Sequence, residues 1–371
     1  KRPTDTKGRV FLNRPRLTAG LAPLDEYLQR VDTRTKRYMQ MADQILETQE
    51  GFDFINDEER EWLLGDIQQV GGAVTVPGDR YNDRIWLQRQ IQRGVKWLEL
   101  RDDLLSFENL QLTLKILCEE WGFGRQILFS LRSQTATDQS LGLIRKYKLN
   151  FDWPLERGMP TKDLSPTILS LHTKSGSLTE TLENLNAVSP GLLKSTIKLA
   201  LMIDDFRELE EVHNWVRQDP ANRSFLPMSA DGRWKWYRLW MSTRSPLQFW
   251  REGDGSAIDQ PTLIEWTRRK KMANAMCFAA ILGDPVAHSR TPAEQFEFFK
   301  KLGAPVFSIR MTEQEWKNGA LEFLGSLGLK WAAVTSPLKT ICFDSSIVYD
   351  SITQELGASN TLVWSQQKKS W

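Results

Sequence analysis

From Gly72 onward the chain alternates short apolar, β-branched runs with stretches whose apolar residues recur at helical spacing. The runs predict strands over Ala73–Pro77, Val95–Arg101, Gln126–Arg132, Tyr147–Asp152, Thr167–His172, Thr196–Met202, Phe225–Met228 and Tyr237–Met241. Eight βα repeats in roughly 200 residues predict a (β/α)8 TIM barrel, whose chemistry belongs at the carboxyl ends of the strands. A second α/β pattern follows. It predicts strands at Phe278–Leu282, Val306–Met311, Trp331–Thr335 and Asn360–Trp364, with helices over Thr291–Leu302 and around Glu313–Leu327. Before the barrel, Leu24, Leu28, Val31, Tyr38, Met41 and Ile45 repeat at helical spacing with charges between them. The expected organisation is a helical tail at 1–50, a linker at 51–70, the barrel at 71–270 and a small α/β domain at 276–371.

Composition narrows the class. Hydrophobic residues make up 40% and charged residues 26% of 371, as in ordinary globular proteins. The net charge of +2 creates no bulk pull toward nucleic acid or a membrane surface. The basic run Arg268 to Lys271 reads as a solvated helix end or linker. Cys118, Cys277 and Cys342 are far apart and odd in number, which argues against a disulfide framework and for a reducing, cytoplasmic setting. No apolar run reaches membrane-spanning length. Tryptophan is unusually frequent, at 15. The chain opens on Lys1 and stops at Trp371 after a strand-like run, which reads as a fragment of a longer polypeptide.

Two residues carry the chemical signal. His172 ends one apolar run and Lys198 lies inside the next. Burial disfavours an ammonium ion. A neutral lysine amine is a nucleophile toward ketones, and a neighbouring histidine can move the protons. The same residues also fit a plainer picture, a lysine that snorkels to water and a hydrogen-bonded structural histidine. The barrel pattern adds Glu99 and Arg101 at the end of the second strand, Arg132 at the end of the third, and Arg238 on the eighth. No His/Cys cluster suggests a metal.

Five stretches, in order, are similar to type I 3-dehydroquinate dehydratase: Glu99-Leu100-Arg101-Asp102-Asp103, Phe129-Ser130-Leu131-Arg132-Ser133, Leu169-Ser170-Leu171-His172, Ile197-Lys198-Leu199-Ala200-Leu201-Met202 and Ser256-Ala257-Ile258-Asp259-Gln260. The resemblance implies that Lys198 forms an imine with the substrate ketone and that His172 is the general acid and base. It implies that Glu99, Arg101, Arg132, Arg238, Ser256 and Gln260 hold the substrate's hydroxyls and carboxylate. The planar fork of arginine suits a carboxylate. The family's glutamate that orients the histidine is replaced by Ala136, and Asp138 is the carboxylate nearest in sequence. The stretch before Arg238 is longer than in the family, with Trp234 and Trp236 inserted.

The last region resembles the substrate-binding domain of shikimate dehydrogenase through Gly283-Asp284-Pro285-Val286-Ala287-His288-Ser289-Arg290-Thr291-Pro292, Val334-Thr335-Ser336-Pro337-Leu338-Lys339 and Gly357-Ala358-Ser359-Asn360-Thr361-Leu362. The resemblance implies that Ser289, Thr291, Thr335 and Asn360 meet the substrate and that Lys339 is a catalytic lysine. Thr291 and Ala333 stand where the family has serine and asparagine. No G-x-G-x-x-G opens a βα unit, so no cofactor is expected on this chain, and NADP only on a longer parent. The tail faintly resembles the end of shikimate kinase at Arg14-Pro15-Arg16-Leu17, Arg34-Thr35-Lys36-Arg37-Tyr38 and Met41-Ala42-Asp43, without a phosphate loop. Kinase tail, dehydratase and dehydrogenase in that order resemble the end of the fungal five-activity shikimate-pathway polypeptide, and also the quinate-pathway repressor derived from it. The first implies a lyase acting on 3-dehydroquinate, with small-molecule partners and room for a homodimer. The second implies an impaired, nuclear metabolite sensor with DNA or a regulatory protein as partner.

Overall fold

The computed structural model of the chain describes residues 72–371 apart from 134–136, 162, 175, 189–194, 253–256, 264, 267–273, 287–288 and 348–349, together with positions 29 and 33. The expected tail, its kinase-like segments and the linker lie outside the described residues. Eight parallel strands form one curled sheet in the order β7-β6-β5-β4-β3-β2-β1-β8. They are β1 (Ala73–Thr75), β2 (Trp97–Arg101), β3 (Ile127–Ser130), β4 (Asn150–Pro154), β5 (Ile168–Leu171), β6 (Thr196–Leu199), β7 (Arg223–Phe225) and β8 (Phe249–Trp250). Among the described residues no ladder joins β7 to β8. Ser224 of β7 instead meets Ser245 Oγ at 2.7 Å and the Leu247 amide at 3.1 Å, just before β8.

Helices α1 (Arg84–Gln92), α2 (Phe107–Leu114), α3 (Thr137–Tyr147), α4 (Leu178–Val188), α5 (Phe206–Arg217) and α6 (Lys235–Trp240) run between the strands. Polar side chains fix their starts: Asp83 accepts from the Trp86 amide, Ser106 from Asn109 and Asp205 from Glu208. The period of two along each strand sorts the sheet's two faces. Leu98, Leu100, Phe129, Leu169, Ile197 and Leu199 face outward into the core shared with the helices. Inward come first Ala73, Trp97, Leu128 and Ile168, which form an apolar floor. One step further along each strand come Thr75, Glu99, Ser130, Asp152, Ser170, Lys198 and Ser224, all buried. A polar layer so far from water persists only when its members bond one another. Gly72 holds the start of β1 at φ +63°, and a Cβ there would meet Gln248 O and Trp250 Nε1 at 2.8 Å.

Two strand expectations are corrected. Tyr237–Met241 is not a strand: Lys235–Trp240 is helix α6, and the eighth strand is Phe249–Trp250. Trp236, Leu239 and Trp240 repeat at helical spacing and are all buried, so a helix buries them on neighbouring elements better than an alternating strand would. The seventh strand ends at Phe225, and the carboxyl end expected to be strand is a loop that follows β6 and its extension through the Leu226 amide to Leu199 O and the Met202–Met228 bridge.

The second sheet runs β10-β9-β11-β12, with β12 antiparallel to β11. Its strands are β9 (Phe278–Gly283), β10 (Val306–Arg310), β11 (Leu329–Val334) and β12 (Thr361–Val363). Helices α7 (Thr291–Glu294) and α8 (Phe296–Lys301) replace the single helix expected there. Likewise α9 (Glu313–Lys317) and α10 (Ala320–Leu327) are split at Gly319, where φ is +95°. Then α11 (Lys339–Asp344) and α12 (Ser351–Leu356) precede β12. Among the described residues no helix is long and apolar enough to cross a membrane.

Candidate active site

A cavity of about 790 Å³ opens at the carboxyl ends of the curled sheet's strands. Lys198 lies at its base, 3% exposed, on β6 opposite Ser170 of β5. Its amine is ion-paired to Asp152 of β4, and the Phe249 ring of β8 lies 4.7 Å away. Arg132, two residues beyond β3, shares the same carboxylate at 2.7 Å. Arg132 also donates to Ser170 Oγ at 3.2 Å and reaches His172 Nε2 at 2.6 Å. A guanidinium donating to the ring requires an imidazole that accepts, hence a neutral one. Lysine, aspartate, arginine and histidine from β4, β5, β6 and the end of β3 thus form one connected cluster.

Burial, reinforced by Arg132, pulls the Lys198 amine down to about 8 against the opposing pull of Asp152 and Glu99. Burial likewise lowers His172 from its ordinary value; Glu156 opposes this and the Arg132 and Lys198 charges add to it. Asp152 goes the other way: burial would raise it, but Lys198 and Arg132 hold it well below the usual carboxylate range. A lysine near 8 has about a tenth of its amine neutral at pH 7, against less than a thousandth for an exposed one near 10.5.

The remaining expected residues take distinct places. Glu99 is buried and accepts from Thr75 Oγ1 and Ser130 Oγ, both at 2.6 Å. Arg101 lines the cavity, paired through Nε and Nη2 with Asp103 at 2.9 and 2.6 Å. Gln260 is fully buried, with Nε2 3.4 Å from Thr75 Oγ1 beneath Glu99. Arg238 lines the cavity from α6 rather than from a strand, 4% exposed, and its Nε has no partner. Burial lowers its guanidinium to about 10 while Asp259 and Glu99 oppose. A buried cation with an unused donor on a cavity wall is a seat for an anion. Ser256 and Ala136 lie outside the described residues.

The histidine's carboxylate is a correction. Asp138 sits exposed in the first turn of α3. The carboxylate beside His172 is Glu156, from the 3-10 turn after β4, with Oε1 3.5 Å from Nδ1. The same oxygen accepts the His172 and Thr173 amides. Burial would raise Glu156, but His172 holds it down to about 2. The sequence reading missed Glu156, Asp152, Phe249 and the cavity-lining Arg157. Asp152 carried the signal that singled out Lys198, a charge inside an apolar strand. We therefore expect Glu156→Gln to lower turnover by about 10²-fold, as loss of histidine positioning does, and Asp138→Asn to leave it within about twofold. Steady-state rates of the two variants separate them, and the reverse ranking would return the role to Asp138.

In the second unit, Ser289 Oγ donates to Thr291 Oγ1 at 3.1 Å and accepts the Thr291 amide at 3.3 Å. Ser289 lines a separate cavity of about 650 Å³ with Trp236, Phe307 and Arg310. Thr335 lies beside β9's end, where its methyl would collide with a Cβ on Gly283. Lys339 and Asn360 are exposed and do not line that cavity. Among the described residues no group of His, Cys, Asp and Glu is arranged to hold a metal.

No family model matches the chain. Over 91 residues it is 31% identical to a shikimate dehydrogenase (NADP(+)) of Lysinibacillus sphaericus, a match that covers 24% of this chain and 33% of the relative. The chain thus spans about a third of the length of the curated relatives it matches. Among solved structures it is similar to the dehydroquinate dehydratase and shikimate dehydrogenase of S. pombe, at 18% identity and TM-score 0.42 over 82% of this chain and 63% of that one. It is also similar to a type I 3-dehydroquinate dehydratase of Clostridium difficile, at 19% identity and TM-score 0.41 over 54% and 91%.

Proposed function

We propose that the curled sheet is a (β/α)8 barrel carrying a Schiff-base lyase that dehydrates 3-dehydroquinate to 3-dehydroshikimate. The observation that carries this reading is Lys198, a buried amine lowered to about 8 at the base of a cavity whose wall holds His172. Arg101, Arg132, Arg157 and Arg238 around the cavity, against Glu99, Asp103 and Glu156, suit an anionic polyhydroxylated substrate.

The chemistry follows from these groups. The neutral Lys198 amine adds to the ketone carbon; His172 takes up a proton from solvent and passes it to the carbinolamine hydroxyl, which departs as water and leaves an iminium with His172 neutral again. His172 removes a proton from the neighbouring carbon, and the electron pair moves into the iminium to give an enamine. The enamine expels the hydroxyl one carbon further on, and the proton on His172 leaves with it as water. A water molecule hydrolyses the conjugated iminium, which releases the enone and restores the amine. In this reading Glu99, on the cavity wall, orients the substrate's hydroxyls and Arg238 its carboxylate, while Gln260, buried and off the wall, supports Glu99 through Thr75.

Two rate measurements test this. The chain should convert 3-dehydroquinate to a product with conjugated-enone absorbance; a folded chain that leaves it unchanged would refute the lyase reading. The rate should also depend on pH through Lys198. Its reactive form is neutral, so log kcat/KM should climb with pH up to about 8 and then level. A flat profile below that pH would contradict a lysine nucleophile.

We further propose that the second unit is a shikimate dehydrogenase-like module, with Ser289, Thr291, Thr335, Lys339 and Asn360 toward a hydroxylated carboxylate. The 91-residue match to shikimate dehydrogenase supports this reading.

A further inference from the structure

Helix α6 touches two things at once. Trp236 and Trp240, one turn apart, face the second sheet. Trp240 lies 4.8 Å from Phe278 of β9 and 6.4 Å from Phe307 of β10, and Trp236 lies 6.2 and 6.4 Å from the same rings. All four aromatics are at most 4% exposed. Between the two tryptophans, on the other side of the helix, Arg238 enters the barrel cavity with its Nε unpartnered.

The approach to α6 is tied to the same unit. Arg233 donates to Glu315 Oε1 at 2.6 Å and to Arg310 O at 3.2 Å. Glu315 is itself fixed, since its other oxygen closes the capping box with Thr312 at the start of α9. Arg310 pairs with Asp231 on the barrel side and with Asp284, 3.0 Å away, on its own. From the barrel side, Asp259 accepts the Trp234 amide at 2.7 Å, one residue before Gln260. On the barrel side α6 is held by Tyr237, whose hydroxyl lies 2.8 Å from His213 Nδ1 and whose ring lies 5.8 Å from Phe225, and an aromatic wall supplied by the second unit holds its back.

We propose that the second α/β unit is a positioning element for the lyase cavity: Phe278, Phe307, Arg310 and Glu315 set the orientation of α6 and thereby aim Arg238 at the substrate's anionic group. This rests on reading Arg238 as the carboxylate holder. Phe278, Phe307, Arg310 and Glu315 do not line the lyase cavity, so they act on it through Arg238. A loosened α6 should weaken substrate capture more than the imine chemistry at Lys198, which stands on β6.

The test is a double-mutant cycle in the full chain with 3-dehydroquinate as probe. Phe307→Leu keeps an apolar filler, and Glu315→Gln releases Arg233 without a cavity. Each should raise KM about tenfold with kcat within about twofold, because the lost contacts are single aromatic or charged pairs. In the Arg238→Gln background neither should add a further loss, whereas general loosening of the fold would add in both backgrounds. Unchanged KM in folded variants, or equal losses in both backgrounds, overturns the proposal. If the unsubstituted chain turns nothing over, the lyase reading fails separately. The cycle is then read from the affinity for 3-dehydroquinate by calorimetry, with the same two outcomes.

Discussion

Lys198→Ala should abolish turnover of 3-dehydroquinate, a fall of more than about 10³-fold, because among the described residues that line the cavity Lys198 is the one amine able to form the covalent intermediate. Lys198→Arg should fail equally, since a guanidinium stays protonated and cannot attack a ketone. The arginine variant separates chemistry from charge. It keeps a cation beside Asp152, so the fold's internal ion pair survives while the nucleophile does not. Rates above background in Lys198→Arg, with the fold intact by circular dichroism, would mean that Lys198 is a structural counter-ion. His172→Ala should leave imine formation measurable and slow the elimination, as loss of a general acid-base does.

Asp152→Asn should produce the largest loss of stability. The carboxylate is fully buried between Lys198 and Arg132. Removing it leaves two cations facing each other away from water, which costs about 3–5 kcal/mol. In a domain of this size that is a fall in Tm of roughly 10 °C or more. The sign of the accompanying pH effect follows from the causes. Asp152 is one of the charges that raises the Lys198 amine, so its loss should take that amine below about 8. The rising limb of kcat/KM should then move to lower pH in whatever fraction stays folded. A melting temperature within about 1 °C of the unsubstituted chain would show that the cluster is solvated rather than buried.

The parts of the fold legible in the sequence were those with a single demand on each residue. Strands β1 to β6 are buried on both faces, so they read as apolar runs within a few residues of their true bounds. The eighth strand was hidden because it is only Phe249–Trp250, while a run of bulky residues at 236–241 imitates a strand. Those residues serve an aromatic joint between two sheets, a demand that no local pattern announces. Trp234, Trp236 and Trp240 there also account for part of the tryptophan excess.

The site divides the same way. Lys198 and His172 were legible because a polar residue in an apolar run is costly and must be repaid by partners. Asp152 met that description equally and was passed over. Glu156 was invisible, since it reaches His172 from another strand's turn, 16 residues away in the chain. Proximity to Ala136, where the resemblance expects the histidine's glutamate, favoured Asp138, but side chains at the mouth of the curled sheet are neighbours by strand order, and β4 adjoins β5. The module resembling shikimate dehydrogenase was legible through its three motifs, whereas its contact with α6 was not.

The central claim is covalent catalysis at one lysine. Incubating the chain with 3-dehydroquinate and borohydride, followed by mass spectrometry of the digested protein, tests it most directly. The account predicts a substrate-derived mass on the peptide that contains Lys198, lost in Lys198→Arg. Labelling at another lysine, or none in a folded chain that still binds 3-dehydroquinate, would contradict it and favour a metabolite sensor built on the same fold.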